Sequence, residues 1–338
     1  MQPTIKDIAK ELDINFSSVS RALNNKPGVS EETRKLVIKT AAGMGYKPNS
    51  IARGLVNRST KTIGVILPDI INPVFGAIAT GIIDTANAND YDIFLCISNW
   101  SNKKERDYIH TIQQKQVDGL IIKTVDDSNQ KLFKDIQVPV IGHESWSTNI
   151  NYTSVSTDNE KGGYIAAKHL INCGYRKTGI IEGPIYASAG VYRRKGFIQG
   201  FRDSGLEFDE NRIFSNKYDI ESGYSLAREL FNSYPDTDSI FNGNDFMALG
   251  TLKYLEENNL KPGKDVGVIG FDNIGMAGLP QIKLTTIKQP KYSIGRIMIN
   301  VLLDEIAIKN QGNENFPQRI MLEPKLIHRG TTCRQKTA

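Results

Sequence analysis

Apolar residues first recur at three- and four-residue spacing and later gather into short unbroken runs, so two kinds of architecture follow one another along the chain. Ile5, Ile8, Ala9 and Leu12 share one face of a helix opened by Thr4, with Asp7 placed to complete a capping box. Asn15 can cap a second helix, Phe16 to Leu23, which turns Val19, Ala22 and Leu23 inward and leaves Phe16, Ser17, Ser18 and Arg21 outside. The turn cluster Asn24 to Gly28 follows, and Ser30 caps a third helix that ends near Met44-Gly45. Three short helices at this spacing predict a helix-turn-helix unit. Pro48-Asn49 breaks the pattern, and Ser50 to Asn57 predicts one short helix with Ile51, Ala52 and Leu55 on a single face. A helix that short needs a partner to be stable in water.

From Thr62 the pattern changes. Ile63–Leu67, Ile93–Ile97, Gly119–Ile122, Val138–Ile141, Gly179–Ile181 and Val266–Ile269 are apolar runs separated by amphipathic helix patterns. Such runs predict parallel strands buried on both faces, and their number predicts an α/β core of two doubly wound subdomains. Ligands in these sheets sit outside the carboxyl ends of the strands. The residues there are polar: Asp69, Ser98-Asn99, Lys123, Glu144, Asn244-Asp245 and Asp272. Carboxylates, amides and a few cations converging from two halves form the donor and acceptor set that a polyol needs. Phe75, Trp146 and Tyr218 can supply apolar faces for a sugar ring.

Charge separates the two parts. Residues 1–61 carry 11 Lys/Arg against 5 Asp/Glu, whereas residues 62–338 carry 31 against 32. The basic surplus therefore sits in the small helical module, as phosphate contact requires. Short polar groups and one arginine at the start of the second helix suit a major groove, and Leu55 suits an apolar wedge between base steps in the minor groove. The 3 cysteines, Cys96, Cys173 and Cys333, have no metal-ligand spacing and fit a reducing cytoplasm. No apolar run approaches the ~20 residues that span a bilayer. The 4 histidines, His110, His143, His169 and His328, fall in no catalytic or metal motif, and no glycine-rich phosphate loop occurs, so neither an enzyme nor a bound cofactor is expected.

The segments Thr4–Ala9, Ser18–Asn24, Val29–Arg34 and Gly45–Leu55 closely resemble the start of the LacI/GalR family of bacterial transcription regulators. The likeness continues through Leu67–Phe75, Arg193–Phe197, Gly243–Gly250, Gly270–Asn273 and Leu284–Gln289, which resemble that family's periplasmic-binding-protein-like core. It implies a headpiece at 1–48, a hinge helix and linker at 49–61 and a core at 62–338. Within the core it implies one subdomain of about 62–160 plus 289–322 and another of about 161–288 plus 323–332. The resemblance implies DNA contacts from Thr4, Phe16, Ser17, Ser18, Ser20, Arg21, Asn24, Asn49, Ala52, Arg53 and Leu55. It implies effector contacts from Glu144, Arg193, Tyr218, Asn244, Asp272 and Gln289, and the polar residues after the strands and the nearby aromatics add Asp69, Asn72, Phe75 and Trp146.

The expected partners are double-stranded operator DNA, a sugar or sugar phosphate, and a second copy of the chain. The segment from Thr331 to Ala338 has no heptad pattern, which favours a dimer over a coiled-coil tetramer. Two alternatives stand beside this reading. One is a catabolite-control-type regulator with a phosphocarrier protein as corepressor, against which Asn300 counts because those regulators place a basic residue there. The other is a cytoplasmic sugar-binding protein or enzyme, with His143 beside Glu144 as the best catalytic candidate.

Overall fold

The computed structural model describes residues 3–46, 59–125, 132–133, 135–144, 152–185 and 187–332. The chain divides into two compact units, residues 1–60 and 61–338.

The first unit is built from α1 (Ile5–Glu11), α2 (Phe16–Leu23) and α3 (Glu31–Gly43). Each start is chemically marked. The Asp7 carboxylate accepts from the Thr4 backbone N–H at 2.8 Å and from its hydroxyl at 2.7 Å. Asn15 Oδ1 accepts from Ser17 N at 2.9 Å, and Ser30 Oγ from Thr33 N at 3.2 Å. Ile8, Ala9, Val19, Ala22, Val37 and Ala41 form the core. Arg34 on α3 donates to Ala22 O at 3.2 Å and Lys26 O at 3.0 Å, so one guanidinium closes the carboxyl end of α2 and fastens the turn after it.

The second unit holds two six-stranded sheets. The first comprises β1 (Thr62–Leu67), β2 (Asp92–Ile97), β3 (Gly119–Ile122), β4 (Val140–His143), β5 (Thr153–Thr157) and β11 (Arg319–Leu322), in the order β11-β5-β4-β3-β1-β2. Every pairing in it is parallel. Helices α4 (Pro73–Asn87), α5 (Asn102–Gln114) and α10 (Lys291–Asn310) accompany it. The second sheet comprises β6 (Thr178–Glu182), β7 (Ile213–Ser215), β8 (Ser239–Asn242), β9 (Gly267–Asp272), β10 (Thr285–Lys288) and β12 (Lys325–Ile327), in the order β12-β10-β9-β8-β6-β7. Only β12 runs antiparallel to its neighbour. Its helices are α6 (Asn159–Asn172), α7 (Ser188–Arg202), α8 (Ile220–Ser233) and α9 (Asp245–Glu257).

The chain passes between the sheets three times, from β5 to α6, from β10 to α10 and from β11 to β12. Strand order reverses between β1 and β3 in one sheet and between β6 and β8 in the other, and such switch points open crevices at the strand ends. Helix α7 lies unusually close to α6. A Cβ on Gly163 would meet Arg193 O at 1.9 Å, and one on Gly196 would meet Glu160 O at 1.8 Å, so glycine at both positions lets the backbones touch. That crossing fixes the helix that carries Arg193 and Arg194.

Two expectations need correction. The fourth run forms a strand from Val140 to His143 rather than from Val138, because Pro139 has no N–H to give the ladder. Ser18 is half-buried rather than exposed: α1 and α3 flank α2, and its open arc narrows to Phe16, Ser17 and Arg21.

Candidate functional site

In the helical unit the exposed start of α2 is the chemically distinctive surface. Phe16 is 51% exposed, an unusual setting for a phenyl ring. Beside it the Ser17 hydroxyl donates to Asn15 Oδ1 at 2.9 Å, and Arg21 is exposed and lies along the Gly28 turn. Ser18 and Ser20 are half-buried, and Asn24 Nδ2 folds back onto Ser20 O at 2.8 Å. Thr4 is exposed at the start of α1. Asn49, Ala52, Arg53 and Leu55 lie outside the described residues. A helix that offers an aromatic ring, small hydroxyls and one guanidinium can enter a major groove and reach base edges.

In the second unit, residues from both sheets form one buried polar network. Arg193 is 5% exposed and lies at its centre. Its Nε donates to Asn159 Oδ1 at 2.8 Å and its Nη1 to Gly243 O at 2.5 Å; Asp272 Oδ1 is 3.9 Å away. The guanidinium also lies 3.6 Å from the Phe271 ring centroid, a cation–π placement. Gln289 bridges the two sheets: its Nε2 donates to Asp272 Oδ1 at 2.6 Å, and its Oε1 accepts from the Thr157 hydroxyl at 2.6 Å. Glu144 accepts from Asn159 Nδ2 at 3.4 Å and pairs with Lys123 at 3.6 Å.

Backbone strain accompanies this chemistry. Glu144 has φ 52°, Asp272 φ 115° and Asn273 φ 52°, in a region that side-chain-bearing residues rarely adopt and that costs about 1–3 kcal/mol each. At Asp272 the turn is held by Lys291, whose ammonium donates to Asp272 O at 2.7 Å and Asn273 O at 3.0 Å. Burial would raise the Glu144 carboxyl, but His143, Lys123 and Arg193 outweigh it and pull it to about 2. Asp272 shifts the other way: burial raises it, more than Arg193 beside it can offset. Asp245 is raised by burial and by the Asp272 charge, although Thr286 Oγ1 donates to it at 2.5 Å and Ile274 N at 2.8 Å.

Tyr218 covers the second sheet's switch point. A Cβ on Gly183 would lie 2.0 Å from its ring, and one on Gly190 would lie 2.9 Å from its hydroxyl. The Tyr218 hydroxyl is buried without a hydrogen-bond partner among the described residues, and burial raises its pKa. Asn244 lies within 3.5 Å of Tyr218 O, but its Oδ1 caps α9 by accepting from Met247 N at 2.8 Å. The structure thus brings Glu144, Arg193, Tyr218, Asn244, Asp272 and Gln289 together.

It uses Asp69 and Asn72 differently. Asp69 accepts from the Ile71 and Asn72 N–H groups at 2.7 and 3.3 Å, and Asn72 caps α4 through Val74 N at 3.0 Å. Neither is joined to the network by a described hydrogen bond. Phe75 is buried and meets Trp100 edge-on, with centroids 5.9 Å apart. Trp146 lies outside the described residues. His143 donates from Nδ1 to Val155 O at 2.9 Å, a bond that ties β4 to β5. Among the described residues no group of three or more His, Cys, Asp or Glu could hold a metal ion, and no helix is long and apolar enough to cross a membrane.

Residues 4–49 match the family of bacterial regulatory proteins, lacI family, and residues 60–328 match periplasmic binding proteins and the sugar binding domain of the LacI family. The chain belongs to the LacI family of bacterial regulatory proteins. It is 33% identical over 308 residues to catabolite control protein A of Priestia megaterium, covering 89% of this chain and 92% of that protein. A periplasmic binding protein/LacI transcriptional regulator from Alkaliphilus metalliredigens QYMF, complexed with D-xylulofuranose, is 30% identical and superposes with a TM-score of 0.69 over 80% of this chain and 99% of that one. The lac repressor dimer bound to operator and an anti-inducer has a TM-score of 0.86 over 98% of this chain and 100% of that one; at 23% identity it shows the shared fold. The protein is a DNA-binding transcriptional regulator rather than an enzyme, with a helix-turn-helix unit and a two-subdomain α/β core.

Besides Thr157, three participants in this LacI-family chain went unnamed in the sequence reading. Asn159 opens α6, two residues beyond the polar strand β5, and links Glu144 to Arg193. Trp100 lies two residues beyond the Ser98 at the end of β2, and its ring is the only signal it offers. Glu182 is the last residue of β6, so the strand-end rule pointed to it.

Proposed function

We propose that this protein is a homodimeric cytoplasmic repressor of sugar uptake or catabolism genes, controlled by an uncharged sugar bound between its two core subdomains. Residues 1–48 act as the headpiece, 49–61 as the hinge and 62–338 as the effector-binding and dimerisation core. Two headpieces read a pseudo-palindromic operator through Phe16, Ser17 and Arg21, with Ser18, Ser20, Asn24, Thr4, Asn49, Ala52 and Arg53 contributing and Leu55 wedged into the minor groove. Unstacking there costs a few kcal/mol, repaid by the contacts that the bend permits.

The observation that carries an uncharged effector is the pairing of the cleft's cations. Lys123 faces Glu144, Arg193 faces Asp272, Arg194 faces Glu182, and the Lys291 ammonium is held by two carbonyls. A phosphate would have to strip one of these from its partner, whereas hydroxyls can exchange for the amide and carboxylate bonds around Arg193. Asp272, Glu144, Gln289 and Asn244 then bind hydroxyls, and Tyr218 and Phe75 cover the ring faces. Isothermal titration of the full chain with neutral sugars and with sugar phosphates tests this. Binding of a neutral sugar that Arg193→Met abolishes supports the reading; tight binding of phosphorylated sugars alone overturns it.

The identity to catabolite control protein A favours a second reading, in which a phosphorylated carrier protein acts as corepressor on α10. Asn300 is exposed there, where such regulators carry a basic residue. Tighter operator binding on addition of the phosphocarrier would establish that reading.

A further inference from the structure

Glu182 ends β6 at the second sheet's switch point, 3% exposed, with one carboxylate oxygen paired to Arg194 and the other, Oε2, without a partner among the described residues. An unsatisfied buried carboxylate oxygen is expensive, and beside a ligand crevice it can accept from a ligand donor. The neighbouring groups converge on the same place. The Tyr218 ring lies over Gly183, its hydroxyl lies over Gly190 in the first turn of α7, and Arg194 stands one turn further along that helix. Glu182 belongs to the electrostatic surroundings of the Tyr218 hydroxyl, together with Arg193, Glu144 and Asp272. Yet the two orphan oxygens do not bond each other.

We propose that Glu182, held by Arg194 beside the Tyr218 ring, is the specificity determinant of the effector site. It accepts a hydroxyl of the sugar, which also meets the Tyr218 hydroxyl, and it rejects effectors that carry a phosphate at that end. This rests on the reading of the cleft as a sugar site. A ligand hydroxyl would satisfy both orphan oxygens, donating to Glu182 Oε2 and accepting from the Tyr218 hydroxyl. A phosphate there would face a carboxylate in a low-dielectric site, and Glu182 already occupies the guanidinium that would otherwise attract it. Sites built to hydrogen-bond a hydroxyl discriminate strongly, because a ligand without it leaves buried groups unpaired.

The test is titration of the full chain, wild type against Glu182→Gln and Tyr218→Phe, with D-ribose, D-glucose and D-xylose and with ribose 5-phosphate and glucose 6-phosphate. Glu182→Gln keeps the shape, removes the charge and frees Arg194. It is expected to weaken the neutral sugar at least tenfold and to strengthen a phosphorylated one. Tyr218→Phe keeps the ring over Gly183 and should weaken the neutral sugar without any gain for phosphates, a split that a general packing defect would not produce. Preserved operator binding by both variants shows that the chain is folded. A wild type that binds no sugar of either kind overturns the cleft reading and this proposal with it. A wild type that binds a neutral sugar while Glu182→Gln leaves the neutral-to-phosphate ratio unchanged overturns only the role of Glu182.

Discussion

At the scale of single residues, neighbouring carboxylates are driven in opposite directions by their surroundings. Glu144 is held ionised by cations that outweigh its burial, whereas burial raises Asp272 and, together with the Asp272 charge, Asp245. Groups with raised folded values favour folding below the ordinary carboxylate range, and that contribution is lost as pH climbs through the raised values towards neutrality. The neutral isostere Asp272→Asn does not pay this cost. Its melting temperature, relative to wild type, is therefore expected to rise between about pH 4 and pH 7. Scanning calorimetry at several pH values checks this, and a constant difference across that range would contradict it. On the headpiece, Arg21 is exposed and free to meet a base edge. Arg21→Ala should cost about 1–3 kcal/mol in operator binding and much less on random DNA, as competition binding at fixed salt would show.

At the scale of elements, the buried strands were legible wherever apolar residues ran together, as at Ile63–Leu67 and Gly119–Ile122. Strand β5 was not, because Thr-Ser-Val-Ser-Thr reads as a polar loop. Its hydroxyls are tolerable in the interior only because distant partners satisfy them: Thr153 donates to Glu305 at 2.5 Å and Thr157 to Gln289 at 2.6 Å, 152 and 132 residues away. Local patterning carries no trace of such pairs. Asn159 escaped notice for the same reason, since its partners Glu144 and Arg193 come from other elements. The α6–α7 crossing supplies a prediction at this scale. Gly196→Ala would push a methyl into Glu160 O, so it should destabilise the core by about 1–3 kcal/mol or more and weaken effector binding by moving Arg193. Chemical unfolding together with sugar titration measures both. Unchanged stability would mean that the helices separate without cost.

At the scale of the whole molecule, the network around Arg193 joins the two sheets through Gln289, Thr157 and Asn159, close to the chain crossings. A ligand that exchanges for some of these bonds favours one relative setting of the subdomains over another, and only such a difference in affinity can be read by DNA. From the proposed wedge role of Leu55, Leu55→Ala is expected to weaken operator binding while leaving sugar affinity at the free core unchanged. Equal loss of both would show that the substitution damages the fold. The division of labour was legible from charge: the basic surplus of residues 1–61 stands against a nearly neutral remainder. The pairing of the cleft's cations was not legible, because a contact such as that of Arg194 with Glu182 forms only in the folded chain.

The most direct test of the account is fluorescence anisotropy of the full chain on a palindromic operator selected from a random library, with and without the neutral sugar found by titration. Nanomolar binding that the sugar weakens about tenfold, a coupling of about 1.4 kcal/mol, is the predicted result. Salt-sensitive binding without sequence preference, or operator affinity indifferent to every sugar that binds the core, would contradict it.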